Sequence, residues 1–217
     1  MTLRDVAQPI ARGRESDVFL RPDGLLVKRA RTGRDLVPEA ELMRHLHAHG
    51  IPVPRVHDAS ERDLVMEYVP GPRMSQEVDA RPWRAAALGR QLADLHRRLD
   101  TAPVPDFLPG SGALLHLDLH PGNVVLGPDG PVVVDWASAA RGDRMVDVAL
   151  SWLAIAVTEL RAFKRVVRGR LVQAFLAGVD DTVRHAMPEA AEIRLSRYRR
   201  DAAEVAAVNR LVAGCAG

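Results

Sequence analysis

Between residues 116 and 136 the chain reads His116-Leu-Asp118-Leu-His-Pro-Gly-Asn123-Val-Val-Leu, then a Gly-Pro-Asp-Gly turn, then Val132-Val-Val-Asp135-Trp136. Asp118 and Asn123 stand five residues apart on an expected loop, and Asp135 closes a short apolar strand directly after it. Phosphoryl transfer from ATP requires this set of parts: a carboxylate that orients an attacking hydroxyl and accepts its proton, and two oxygen ligands for Mg2+. The spacing His-x-Asp-x-x-x-x-Asn, followed by a strand and Asp, supplies them. The plainer alternative is a loop with incidental acids between two strands. Composition argues against it, because the chain has only two asparagines, Asn123 and Asn209, and one stands where an amide oxygen would bind metal.

The same chemistry needs a lysine to hold the α and β phosphates, paired with a glutamate on the next helix. Of 30 basic residues, 28 are arginine and two are lysine, Lys28 and Lys164. Lys28 lies in Leu-Leu-Val-Lys-Arg-Ala, an expected third strand. The following helix offers Glu39 and Glu41. Helical spacing puts Glu39 on the face of Leu42, Met43 and Leu46, which should point inward, and Glu41 with Arg44, His45 and Ala48, which should be wet. Glu39 is therefore the expected partner.

These residues must be positioned by two halves of different texture. Residues 1–70 read as short strands with one helix: Gln8–Ala11 and Ser16–Leu20 around a turn at Gly13, a Pro-Asp-Gly turn, Leu25–Ala30, a helix from Pro38 to His49 stopped by Gly50, then Arg55–Ala59 and Asp63–Val69. Pro70-Gly-Pro72 marks the boundary. Residues 71–217 read as mainly helical. Trp83–Leu99 carries apolar residues near helical spacing, and a Pro- and Gly-rich loop follows from Thr101 to Gly112. Ala113–Leu117, Asn123–Leu126 and Val132–Val134 are short apolar runs. Helices are expected at about 145–160, 162–178 and 188–213.

Composition bounds the function. The 217 residues are 47% hydrophobic and 27% charged. A chain of that size and composition can bury a core. Thirty basic against 28 acidic residues leave a formal charge of +2, too balanced for a nucleic-acid partner. One cysteine, Cys215, excludes an internal disulfide framework. The opening stretch from Met1 to Gly13 lacks the apolar run of a signal peptide, and Val148–Val157 is too short to span a bilayer. The expectation is a soluble cytoplasmic protein with no membrane partner. Oligomeric state has no sequence signal.

With these residues in place, the chain resembles the aminoglycoside phosphotransferase and choline kinase-like family, a branch of the protein-kinase-like fold. The resemblance rests on Lys28, Pro38-Glu-Ala-Glu-Leu-Met-Arg-His-Leu46, Gly50-Ile-Pro-Val-Pro54, Val65-Met-Glu-Tyr-Val-Pro-Gly71, Leu92-Ala-Asp-Leu-His96, His116–Leu126, Asp135-Trp136, Gly142-Asp143 and Asp147. It implies an α+β, two-lobed fold: a small antiparallel-sheet N-lobe with one helix (1–70) and a mainly helical C-lobe (71–217). It implies ATP and Mg2+ as cofactors and a small-molecule acceptor. Asp118 would be the catalytic base, Asn123 and Asp135 the metal ligands, and Lys28 and Glu39 the phosphate-binding ion pair. The Glu67 carbonyl and Val69 amide would meet the adenine edge, and the Gly13–Ser16 turn would lie over the phosphates. His116 and Asp147 would support the loop.

The chain departs from the family in three places. No Gly-x-Gly-x-x-Gly is present, so the Ser16 hydroxyl and backbone amides take over the cradling. Leu117 stands where many relatives have glycine. Only about 15 residues fill the gap before the catalytic loop, where relatives insert a helical segment that helps form the acceptor pocket. The acceptor site is then small, open or built from the C-terminal helices, and no acidic pocket for a polycation is evident. Two further readings stand beside a small-molecule kinase: a compact atypical protein kinase, opposed by Asp-Trp and Gly-x-Pro-x-Pro, and a non-catalytic nucleotide-binding scaffold, whose usual sign is loss of Lys28, Asp118, Asn123 or Asp135. His45 and His49 read as helix surface, His120 as an acceptor contact or a loop brace, Trp83, Trp152 and Phe163 as core. Arg194, Arg197, Arg199 and Arg200 read as a solvated cluster that near a cleft would hold an anion.

Overall fold

The computed structural model describes residues 8–13, 15–157, 162–197 and 202–215. Strands β1 (Ala11–Arg12), β2 (Ser16–Leu20), β3 (Leu26–Ala30), β4 (Val56–Ala59) and β5 (Asp63–Met66) form one antiparallel sheet in the order β1-β2-β3-β5-β4. Helix α1 (Val37–Ala48) covers it. The Asp35 carboxylate accepts from the Val37 amide at 2.8 Å. Pro38 occupies the first turn, where no donor is missed. Gly50, at φ +74°, ends the helix, and the Ile51 amide returns to the Leu46 carbonyl, the usual role of a left-handed glycine past a helix end. Leu42, Met43 and Leu46 are buried with Glu39, and Glu41 is exposed, as helical spacing requires.

The chain after Pro70 is mainly helical. Helices α2 (Met74–Ala80) and α3 (Ala85–Leu99) come first. Two small antiparallel two-stranded sheets hold the central loops: β6 (Ala113–Leu115) with β9 (Ala140–Gly142), and the hairpin of β7 (Val124–Gly127) with β8 (Gly130–Val133), which lies between them in the chain. Helices α4 (Arg144–Ala156), α5 (Ala162–Leu176), α6 (Met187–Arg197) and α7 (Ala202–Cys215) complete the fold. The α+β class holds. Among the described residues no helix is long and apolar enough to cross a membrane.

Several local expectations are corrected. The single helix 188–213 is two, α6 and α7, which pack on each other through the Arg194–Glu204 ion pair at 2.7 Å, with Val208 fully buried. A straight helix of that length would carry Val208 away from the core. Helix α2 and strand β9 form where no element was expected, because both are short and lack a periodic apolar face. Helix α3 starts at Ala85, and the preceding turn leaves Trp83 73% exposed, so Trp83 is not core. Trp152 is buried. Phe163's side chain, Arg197's side chain, Arg199 and Arg200 lie outside the described residues.

Helix α3 packs closely on α5. Gly89 makes it possible, since a Cβ there would stand 2.3 Å from the Leu171 carbonyl oxygen.

Candidate active site

Strand β3 and helix α1 bring Lys28 and Glu39 together. The Lys28 ammonium donates to Glu39 Oε1 at 2.8 Å and Oε2 at 3.0 Å, and to Asp135 Oδ1 at 2.8 Å. Lys28 and Glu39 are almost fully buried, whereas half of the Asp135 side chain is exposed. Burial alone would lower the Lys28 pKa, but the two carboxylates more than offset it and hold the ammonium charged. Burial likewise pushes Asp135 up, and Lys28, with help from His116 and Arg34, pulls it below the usual carboxylate range. Lys28 and Asp135 are thus both ionised at neutral pH.

The loop after β6 carries the remaining groups. The Asn123 amide nitrogen donates to the Asp118 carbonyl at 3.0 Å and to Asp118 Oδ2 at 3.1 Å, so its carbonyl oxygen is turned away from that carboxylate. Among the described residues only two non-glycines have left-handed backbone: Leu117 (φ 62°) and Asp135 (φ 66°). Such strain persists only where surrounding contacts enforce it, and it concentrates at working sites. Here the enforcement is visible. The buried Asp147 carboxylate accepts from the Leu117 amide at 2.6 Å and the His116 amide at 3.1 Å. Asp143, four residues earlier, caps α4 by accepting from the Met145 amide at 2.8 Å. One acid starts the helix and the other clamps the loop.

Two buried histidines brace the same region. His116 Nδ1 accepts from the Asp118 amide at 3.2 Å, and His116 Nε2 donates to the Val134 carbonyl at 3.1 Å. A neutral imidazole that accepts at one nitrogen carries its proton on the other, so the tautomer is fixed. The His116 ring packs on Trp136. His96 Nε2 pairs with Ser151 Oγ at 2.9 Å, and that hydroxyl donates to the Leu119 carbonyl. Burial lowers the His96 pKa to about 3, with His116 and Arg144 adding to the effect. Burial lowers the His116 pKa to about 4, against the pull of Asp118 and Asp135. Both rings are neutral at physiological pH.

A cavity of about 280 Å³ is lined by Gly13, Ser16, Lys28, Arg34, Asp118 and Asp135, among others. The Gly13 amide donates to the Ser16 carbonyl at 2.8 Å. Arg34, which sequence reasoning missed, donates to Glu15 Oε2 at 2.9 Å and to the Ala137 carbonyl, joining that turn to the segment after Asp135. No motif marks it in a chain with 28 arginines. Glu67 and Val69 do not line this cavity. The Glu67 amide is bonded to the Arg55 carbonyl at 2.8 Å, and its carboxylate accepts from the Arg55 amide at 3.2 Å.

A second cavity of about 430 Å³ is lined in part by His120, Pro121 and Gly122 of the same loop. His120 Nδ1 accepts from the Gly122 amide at 2.9 Å, and Nε2 stands 3.7 Å from Asp118 Oδ1. The ring therefore braces the loop and also forms part of this cavity's wall. His45 and His49 stack on the α1 surface, and no cluster of three metal-ligating side chains occurs among the described residues.

The family model described as the phosphotransferase enzyme family, APH, matches residues 6–112 and 102–193, and the chain belongs to that family. It is by class a kinase. Comparison with curated protein sequences found no match. Among solved structures, the gentamicin complex of APH(2'')-IIa is 17% identical with a TM-score of 0.64, covering 95% of this chain and 90% of that one. The amicoumacin kinase hAmiN, in complex with AMP-PNP, Ca2+ and Ami, is 18% identical with a TM-score of 0.60, covering 96% and 87%. A choline/ethanolamine kinase family protein from Mesorhizobium loti is 17% identical with a TM-score of 0.55, covering 98% and 88%. These likenesses establish the shared kinase-like fold.

Proposed function

We propose that the protein transfers the γ-phosphoryl group of ATP to a hydroxyl of a small molecule, with magnesium as cofactor. One observation carries this reading. The buried Lys28 ammonium is fixed between Glu39 and Asp135 in the wall of a cavity that Asp118 also lines. A charge so held is preorganised for the α and β phosphates. The solved neighbours include complexes with AMP-PNP and with gentamicin, in keeping with a nucleotide and a small acceptor.

Each residue then has a task. Lys28 meets the phosphates and Glu39 keeps it oriented. The Ser16 hydroxyl and the turn from Gly13 cover them, and the Glu67 carbonyl with the Val69 amide takes the adenine edge. Asn123 and Asp135 suit magnesium, because both offer hard oxygen donors. The Asn123 nitrogen is already committed to Asp118, which leaves its oxygen for the metal. When bound, the metal neutralises charge building on the phosphate oxygens. Asp118 aligns the acceptor hydroxyl and takes its proton as the new O–P bond forms and the bond to ADP breaks in line. Asp147, through the Leu117 backbone, keeps Asp118 aimed.

The test is Asp118→Ala. ADP formation with an acceptor that supports turnover should fall by about 10²–10⁴-fold, the usual contribution of a positioned general base, while ATP affinity is retained. Near-native turnover in the variant would overturn the mechanism.

A further inference from the structure

His120 belongs to the catalytic loop but has no task in the phosphoryl transfer described above. Its ring is held on the backbone that follows it. Nδ1 accepts from the Gly122 amide at 2.9 Å, and Gly122 leaves room for the ring, since a Cβ there would stand 2.6 Å from His120 Cε1. An imidazole that accepts at Nδ1 is neutral and carries its proton on Nε2. Among the described residues that Nε2–H makes no hydrogen bond. Asp118 Oδ1 stands 3.7 Å from it, too far for one.

Asp118 has the complementary opening. Its Oδ2 accepts from the Asn123 amide nitrogen at 3.1 Å, and Oδ1 accepts from nothing among the described residues. A donor and an acceptor are thus both unused, with a gap between them that an oxygen about 2.8 Å from each would span. An alcohol oxygen can accept from one and donate to the other. An ammonium has only donors and would leave the Nε2 proton unmet.

His120 also lines the cavity of about 430 Å³, which is walled by α2, α4 and α5. Ligand pockets run from about 300 to about 1,000 Å³, so a small molecule fits. Val78, Ala154, Ile155, Val167 and Leu171 supply apolar surface. Asp79, its one acid among the described residues, is paired with Lys164 at 2.7 Å. The body of a molecule whose oxygen meets His120 would lie against these walls.

Resting on the phosphotransferase reading, we propose that His120 is a second catalytic residue: its Nε2–H holds the oxygen of an uncharged alcohol with an apolar body, while Asp118 Oδ1 takes the hydroxyl proton. The O–H bond breaks toward Asp118 as the O–P bond forms and the bond to ADP breaks. His120 keeps its own proton throughout and serves to orient the attacking oxygen.

Two substitutions separate this task from bracing the loop. Asparagine places its carbonyl oxygen near the position of Nδ1, so His120→Asn keeps the Gly122 bond and loses the donor. Glutamine brings its amide nitrogen near the position of Nε2, so His120→Gln keeps the donor and loses the Gly122 bond. The probes are 3-phenyl-1-propanol and propylbenzene, the same body without the oxygen, titrated calorimetrically into the full chain. The Kd of the alcohol should rise about fivefold in His120→Asn, the usual size of one hydrogen bond, and largely recover in His120→Gln. The Kd of propylbenzene should stay unchanged in both. A larger loss in His120→Gln than in His120→Asn would assign the ring to the loop alone and overturn the proposal. So would parallel losses for the two probes, an unchanged Kd for the alcohol, or no binding of 3-phenyl-1-propanol to the unmodified protein. The thermal shift with ATP and magnesium, retained in both variants, shows that they are folded. Its absence from the unmodified protein would instead overturn the phosphotransferase reading.

Discussion

The cavity at Lys28 and the cavity walled by α2, α4 and α5 are built by opposite means. Around Lys28, charges interlock: Lys28 is shared between Glu39 and Asp135, and Arg34 ties Glu15 to the Ala137 carbonyl. In the second cavity the walls are mostly apolar, with the Lys164–Asp79 ion pair exposed. On the proposed reading the Lys28 cavity must hold a fixed charge pattern, because a triphosphate presents the same charges whatever the acceptor. The second cavity is set by how α2, α4 and α5 pack. A fixed charge pattern demands residue types at set spacing, whereas a packed cavity only demands shape.

This contrast can be broken or sharpened by three changes of decreasing size. Lys28→Met removes the counter-charge of a Glu39 carboxylate that is 4% exposed. Breaking a buried pair costs about 3–5 kcal/mol, so urea denaturation should show a loss of that order. Pairing it with Glu39→Leu should restore most of the stability without restoring transfer. Full stability in the single variant would mean that the pair is not held as described.

Acid should act next. The unfolded chain protonates its histidines near 6.5, whereas His96 and His116 in the folded protein do so only at about 3 and about 4. The folded-state values are depressed, so the stabilisation is complete above pH 6.5 and is lost as pH falls toward the folded values. Going from pH 7 to pH 5 should cost about 2 kcal/mol for each histidine. Denaturation curves at the two pH values measure this, and a flat profile would contradict the burial of both rings.

The smallest effect belongs to Gly89→Ala. The added methyl must displace the Leu171 carbonyl. Overpacking of this kind costs about 1–3 kcal/mol. Urea denaturation measures this, and unchanged stability would contradict the close approach of α3 to α5.

The same contrast explains what the sequence disclosed. Lys28, Glu39, Asp118, Asn123 and Asp135 were readable because each is defined by local spacing, and the structure brings all five into one region. Glu39 could be chosen over Glu41 from helical periodicity alone. Arg34 was not readable, since its partners Glu15 and Ala137 lie 19 and 103 residues away. The same holds for Ser151, which joins His96 to the Leu119 carbonyl across 55 and 32 residues. Lys164 had a signal in its rarity, but its partner Asp79 is 85 residues distant. Leu117 was noticed as an unusual residue for its place. Its left-handed backbone, clamped by Asp147, shows what that place demands.

The most direct test of the central claim is a thermal-shift titration with ATP, with and without magnesium, on the unmodified protein and on Asp135→Ala. At 100 times its dissociation constant a ligand adds about 2.7 kcal/mol of stability, a readily measured shift. A magnesium-dependent shift in the unmodified protein that disappears in Asp135→Ala is the expected result. No shift, or an equal shift in both proteins with no need for magnesium, would contradict the account.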